Sequence, residues 1–118
     1  MKRMLVLAAL MLPAGMAMAA EKADNCGAQA LASGNYAKAE MLIAGSLKKA
    51  PADPVLLLNL ARVYDATDRA EQGRALYARV LSRQDVQLET LSGAPVWSHA
   101  LANARLKGDA RVASLILR

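Results

Sequence analysis

Gly34-Asn35-Tyr36-Ala37-Lys38-Ala39, followed by Ile43, Leu47 and Pro51 and preceded by Gly27, is the stretch that decides the fold. Moved along the chain by 34 residues, it finds itself again. Gly27 falls on Ala61, Gly34 on Asp68, Ala39 on Gly73, Ile43 on Tyr77 and Leu47 on Leu81. Leu57-x-x-Leu60-Ala61-x-x-Tyr64 reads as the opening helix of the second copy. A fainter third copy, Gly108-Asp109 with Ala113 and Leu117, lies 74 residues from the first, two periods of 34 plus six. The extra residues belong to 85–97, where apolar and polar residues alternate around Ser92-Gly93, and a short β-hairpin near 86–97 is expected.

Breaks at Gly34-Asn35, Pro51-Ala52-Asp53-Pro54, Asp65-Ala66-Thr67-Asp68 and Lys107-Gly108-Asp109 separate Ala/Leu-rich segments. Each break ends on a side chain that can accept a bond from a free helix N–H: Asn35, Asp53 (with Pro54 next), Asp68 and Asp109. Helices are therefore expected over 22–33, 36–49, 54–66, 69–83, 98–107 (capped by Ser98) and 110–117. Short connections make consecutive helices antiparallel. Small residues at Gly27, Ala39, Ala61 and Gly73 let paired backbones approach, while Leu57, Leu60, Tyr64, Tyr77 and Leu81 fill the space between pairs.

This pattern resembles the tetratricopeptide repeat (TPR), a 34-residue helix-turn-helix unit. Gly27, Gly34, Tyr36, Ala39 and Pro51 fill the family's places in the first unit. The departures are Asp68 for Gly, Ala70 for the aromatic, and Asp85 for the closing Pro of the second unit. The resemblance implies an all-α fold of antiparallel helix pairs, with repeats over about 22–53 and 54–84 and a degenerate third over 98–118. A plain helical hairpin protein with coincidental spacing is the alternative.

In TPR proteins the first helices of successive units line a concave groove that receives peptides or partner helices. The resemblance places Val55, Leu58, Arg62 and Asp65 on that groove, with Asn59 matching a common Asn of the family; Asp24, Ala28 and Leu31 face it from the first unit. Leu58 with Arg62 one turn on offers an apolar contact beside a cationic fork. The competing expectation is that Val55 and Leu58 pack beneath the terminal segment. The family's carboxylate clamp needs Lys and Asn where this chain has Asp24 and Ala28, so a chaperone-tail clamp is not supported.

The 118 residues are 55% hydrophobic and 3% aromatic, with no Phe and a single Cys, which excludes a disordered tail and a disulfide scaffold. Twenty-six Ala and 19 Leu against seven Val and two Ile favour helix over strand. Lys2-Arg3, the apolar run Leu5–Leu12, then Pro13, Gly15 and Ala17-Met18-Ala19 have the layout of a secretory signal peptide over 1–19. Cleavage after Ala19 or Ala20 is expected, leaving a 20–118 helical domain in the periplasm or outside the cell, without a membrane anchor. An uncleaved anchor is the alternative, although the run falls short of the roughly 20 apolar residues a span needs. Cys26 lacks the small apolar lead of a lipoprotein. Without residues 1–19 the net charge falls from +5 to +3, too little to argue for nucleic acid.

Catalytic signals are scarce. His99 is the only histidine, so no His-based metal motif can form, and its neighbour Ser98 points elsewhere on a helix. Cys26 reads as a small buried residue, with an intermolecular disulfide as the sharper alternative. Arg69, Arg74, Arg79 and Arg83 read as a solvated face, and Trp97 as an apolar plug between the hairpin and the last helix. The expected protein is thus a non-catalytic interaction or scaffold module of the cell envelope, with no cofactor and no metal. The alternative is a structural subunit forming a homodimer by end-to-end stacking through an exposed Leu115-Ile116-Leu117 tail.

Overall fold

The structure, a computed structural model, describes residues 24–118; the expected export signal and its cleavage site lie outside the described residues. Five helices and a hairpin follow one another: α1 (Ala28–Ala32), α2 (Tyr36–Leu47), α3 (Pro54–Ala66), α4 (Ala70–Leu81), β1 (Gln87–Glu89), β2 (Pro95–Trp97) and α5 (Ser98–Leu106). Each helix packs chiefly on its neighbours in sequence, as stacked antiparallel pairs do. The two strands pair antiparallel with Leu88 opposite Val96, giving the expected hairpin.

The internal repeat is visible in the turns. The N–H groups of Asn35, Arg69 and Asp109 return to the carbonyls of Ala30, Tyr64 and Ala104, each five residues back. The residue before each donor is left-handed: Gly34 at φ 77°, Asp68 at 60° and Gly108 at 73°. This bond satisfies carbonyls the ending helix leaves free. Asp68 therefore does not cap α4 as expected. It takes the glycine's place in the turn, a conformation that Asp tolerates better than most side chains.

Asn35 and Asp53 do cap α2 and α3, accepting from Lys38 N–H at 3.2 Å and Val55 N–H at 2.9 Å. The first helix is shorter than expected because Gly27, at φ 73°, stands outside it; Asp24 closes its start by accepting from the N–H groups of Gln29 and Ala30. Ser98 does not cap α5 either. Asp85, the residue in place of the family's proline, reaches across the hairpin and accepts from His99 N–H at 2.9 Å and Ser98 Oγ at 3.1 Å. That His99 N–H holds the Asp85 carboxyl below its usual range.

Pair contacts depend on small residues. Ala39 and Ala61 are fully buried. A methyl group on Gly73 would lie 2.7 Å from Asp65 Oδ1 and 3.4 Å from the Ala61 carbonyl. The core is built from Ile43, Leu57, Leu58, Val63, Tyr77, Val80 and Leu101, each worth about 1.5–3 kcal/mol of burial for the larger aliphatics. Trp97 is half exposed and is not the expected plug, since it stands on an outward position of β2. Among the described residues no helix is long and apolar enough to cross a membrane.

The largest departure lies after Gly108. Residues 110–117 do not form a helix. Asp109 accepts from Arg111 N–H, a run of turns follows, and the chain then extends. Two turns of helix are too short to hold themselves in water. The extended form instead buries Leu117 completely and finds partners for its backbone.

Candidate functional site: a strand held on the face of α3

The 113–118 segment lies between α3 and the hairpin. On one side it pairs with β1 and the residues after it: Leu91 N–H donates to Ile116 O at 2.8 Å and Arg118 N–H to Glu89 O at 3.1 Å. Thr90 and Leu117 form an antiparallel bridge. On the other side Asn59 plays the part of a neighbouring strand. Its Oδ1 accepts from Leu117 N–H at 3.0 Å, and its Nδ2 donates to Leu117 O at 2.8 Å. The second Nδ2 hydrogen reaches Cys26 O at 3.0 Å, so the buried amide is satisfied and α1 is tied to the same point.

Two arginines extend the grip. Arg62 donates from Nη1 to Ala113 O at 2.8 Å. Arg105, on α5, donates from Nη1 to Leu58 O at 2.9 Å and from Nη2 to Leu115 O at 2.6 Å. Burial lowers the pKa of Arg105, and nearby Arg62 adds to the effect. The Nε atoms of both residues are buried without partners. Every one of these contacts reads backbone. The segment's side chains add Leu117 in its slot, Leu115 and Ile116 packed against the core, and Arg118, which pairs with Glu89 at 2.7 Å.

The five residues expected on the groove are therefore divided. Leu58 is fully buried beneath the segment, as the competing expectation had it, and presents no apolar contact to solvent. Asn59 is equally buried and is occupied by Leu117. Arg62 is half-buried on Ala113. Asp65 is exposed and accepts from Tyr77 Oη at 2.6 Å; burial pushes that hydroxyl well above its ordinary range. Val55 stays half-buried on a recess of about 730 Å³, with Cys26, Leu42, Ser46, Lys49 and Arg118 among its other walls.

The remaining singled-out residues are structural. Cys26 is half-buried, its thiol 3.5 Å from Leu117 O and its pKa raised by burial. The His99 ring meets Arg83 O at 2.7 Å, and Ser98 Oγ is engaged by Asp85 and Val86 N–H. The tail expected to be exposed for stacking is folded in: Leu117 is buried, while Leu115 and Ile116 pack against the core. Sequence reasoning missed Arg105 and Asp85. The available signal was an acid just ahead of a hairpin; Arg105 stands in a helix that also carries Ser98, His99 and Asn103, and nothing local marks it.

Stacked antiparallel helix pairs of repeating length define a helical repeat protein. The tetratricopeptide repeat family model matches residues 30–91, more than half of the chain, and the chain belongs to that family. No curated protein and no solved structure matches it significantly. TPR units generally mediate protein–protein contact or scaffolding and are typically not catalytic. The match runs from α1 through the end of β1, so α5 and the 113–118 segment lie outside it.

Proposed function

We propose that this TPR protein is a non-catalytic interaction module of the cell envelope that holds an extended segment of a partner protein on the concave face of α3. Val55, Leu58, Asn59, Arg62 and Asp65 mark that face. The observation that carries the reading is the two-sided bond of Asn59 to the backbone of Leu117, because it is a way of gripping extended polypeptide. The open recess beside Val55 gives an incoming segment a place to start.

A photo-crosslinking residue placed at Val55 or at Ser46 in the full chain tests this in cells. The same partner should be captured from both positions and not from Arg74, which is exposed on α4. Equal capture from Arg74 would contradict the reading. The envelope location is tested separately by fractionation, with a mature chain starting after Ala19 or Ala20 as the expected periplasmic product.

A further inference from the structure

We propose that the 113–118 segment is a built-in competitor for the partner, seated where the partner's own strand binds, and that the partner offers a leucine-sized residue followed by a basic one. This rests on the reading of α3 as a partner-binding face. Three observations carry it. First, the hydrogen bonds that Asn59, Arg62, Arg105 and β1 make to this segment go to its backbone atoms, so another extended chain can make the same bonds. Second, side chains are held as well: Leu115 and Ile116 pack against the core, Leu117 fills a fully buried slot, and the Glu89 carboxylate takes the cation after it.

Third, the segment follows the last helix, so none of the turns that join the helix pairs runs through it. The connector ahead of it is a series of turns with Gly108, Ala110 and Arg111 exposed, and the connector's own bonds are local. Departure strips Asn59, Arg62 and Arg105 of their acceptors, and a vacant groove is costly because buried polar groups then go unpaired. The favoured states are therefore a seated segment or a seated partner. Tethering gives the segment an effective concentration of about millimolar, so a free peptide must overcome that before it binds.

The test titrates a labelled peptide with the sequence of residues 112–118 (Val-Ala-Ser-Leu-Ile-Leu-Arg) into the full chain and two variants. Leu117→Asp cannot seat its own segment and should bind the peptide at least tenfold more tightly than the parent chain. Arg118→Glu, which sets like charges together at Glu89, should fall between the two. A peptide with Asp in place of the second Leu should not bind. Equal affinity of all three proteins overturns the proposal, as does absence of binding to Leu117→Asp with its helical circular dichroism intact. Should Leu117→Asp fail to fold, Arg118→Glu carries the comparison, because its change lies on the surface. Partner crosslinking at Val55 that is unaltered by Leu117→Asp dismisses the competitor and leaves the binding face standing; loss of face-specific crosslinking in the parent chain dismisses the face itself.

Discussion

α3 and α5 end in the same turn but are continued differently. After α3 the left-handed Asp68 reverses the chain, and α4 returns along α3 with Gly73 against Ala61 and Tyr77 bonded to Asp65. After α5 the left-handed Gly108 makes the same reversal, yet no second helix follows. The difference lies in what each following segment can bury. Residues 70–81 carry Gly73, Leu76, Tyr77 and Val80 on one face, enough for a full helical contact. Of residues 110–118 only Leu117 is completely buried, and it is held as a strand whose backbone pairs with Asn59 and the hairpin. A shared turn does not dictate the element that follows it.

Removing the strand's partner should have the largest effect. Asn59→Leu strands the Leu117 N–H and the carbonyls of Leu117 and Cys26 in the interior, and should lower stability by roughly 3 kcal/mol or more in urea unfolding. Retention of parental stability would mean the strand contributes little to the fold. The helical side of the comparison is broken next by Gly73→Ala. Its methyl must displace the Asp65 carboxylate from its bond with Tyr77, a loss set against the helix preference for Ala, and a net cost of about 1 kcal/mol is expected. Ala39, at the matching place in the first unit, carries that methyl fully buried.

The turns themselves offer a sharper pair. Gly34→Ala meets open space but a φ of 77°, and should destabilise by about 1 kcal/mol, whereas Asp68→Gly relieves the same conformation and should stabilise by roughly 0.5–1 kcal/mol. Opposite signs in thermal unfolding are expected.

The smallest effect concerns the tie between the first two units. Arg69 grips Glu40 at 2.6 and 3.1 Å and lies over the Tyr64 ring, and its side-chain bond holds the Glu40 pKa below its ordinary value. A lowered folded-state pKa contributes stability that is present above the unfolded value near 4.5 and lost as pH falls through the folded one. The stability gap between the parent chain and Glu40→Gln should therefore be open at pH 6 and narrow as the pH falls below about 4.5. A gap that widens on acidification would contradict this.

Much of the helical part was legible in the sequence because its signals are local and repeated. The 34-residue spacing of Gly34, Ala39 and Ile43 with Asp68, Gly73 and Tyr77 places both pairs, and Asn35 and Asp53 mark two helix starts. The hairpin was legible from its alternation. What was hidden depends on contacts distant along the chain. Asp85 caps a helix 13 residues away across the hairpin, and Asn59 meets Leu117 over a separation of 58. A capping motif read locally assigns the first role to Ser98. A repeat pattern extended by analogy turns residues 110–117 into a helix. Of the α3 residues, Leu58 follows the competing expectation of packing beneath the terminal segment, and Asn59 lies buried there with it.

Amide hydrogen exchange, resolved by residue in the full chain, distinguishes a strand from a helix after Gly108. If the 113–118 segment is a strand held between β1 and Asn59, the amides of Leu91, Leu117 and Arg118 are protected while those of Ala110 and Ser114 exchange rapidly. Helical chemical shifts through 110–117, or rapid exchange at Leu91, Leu117 and Arg118 together, would contradict it.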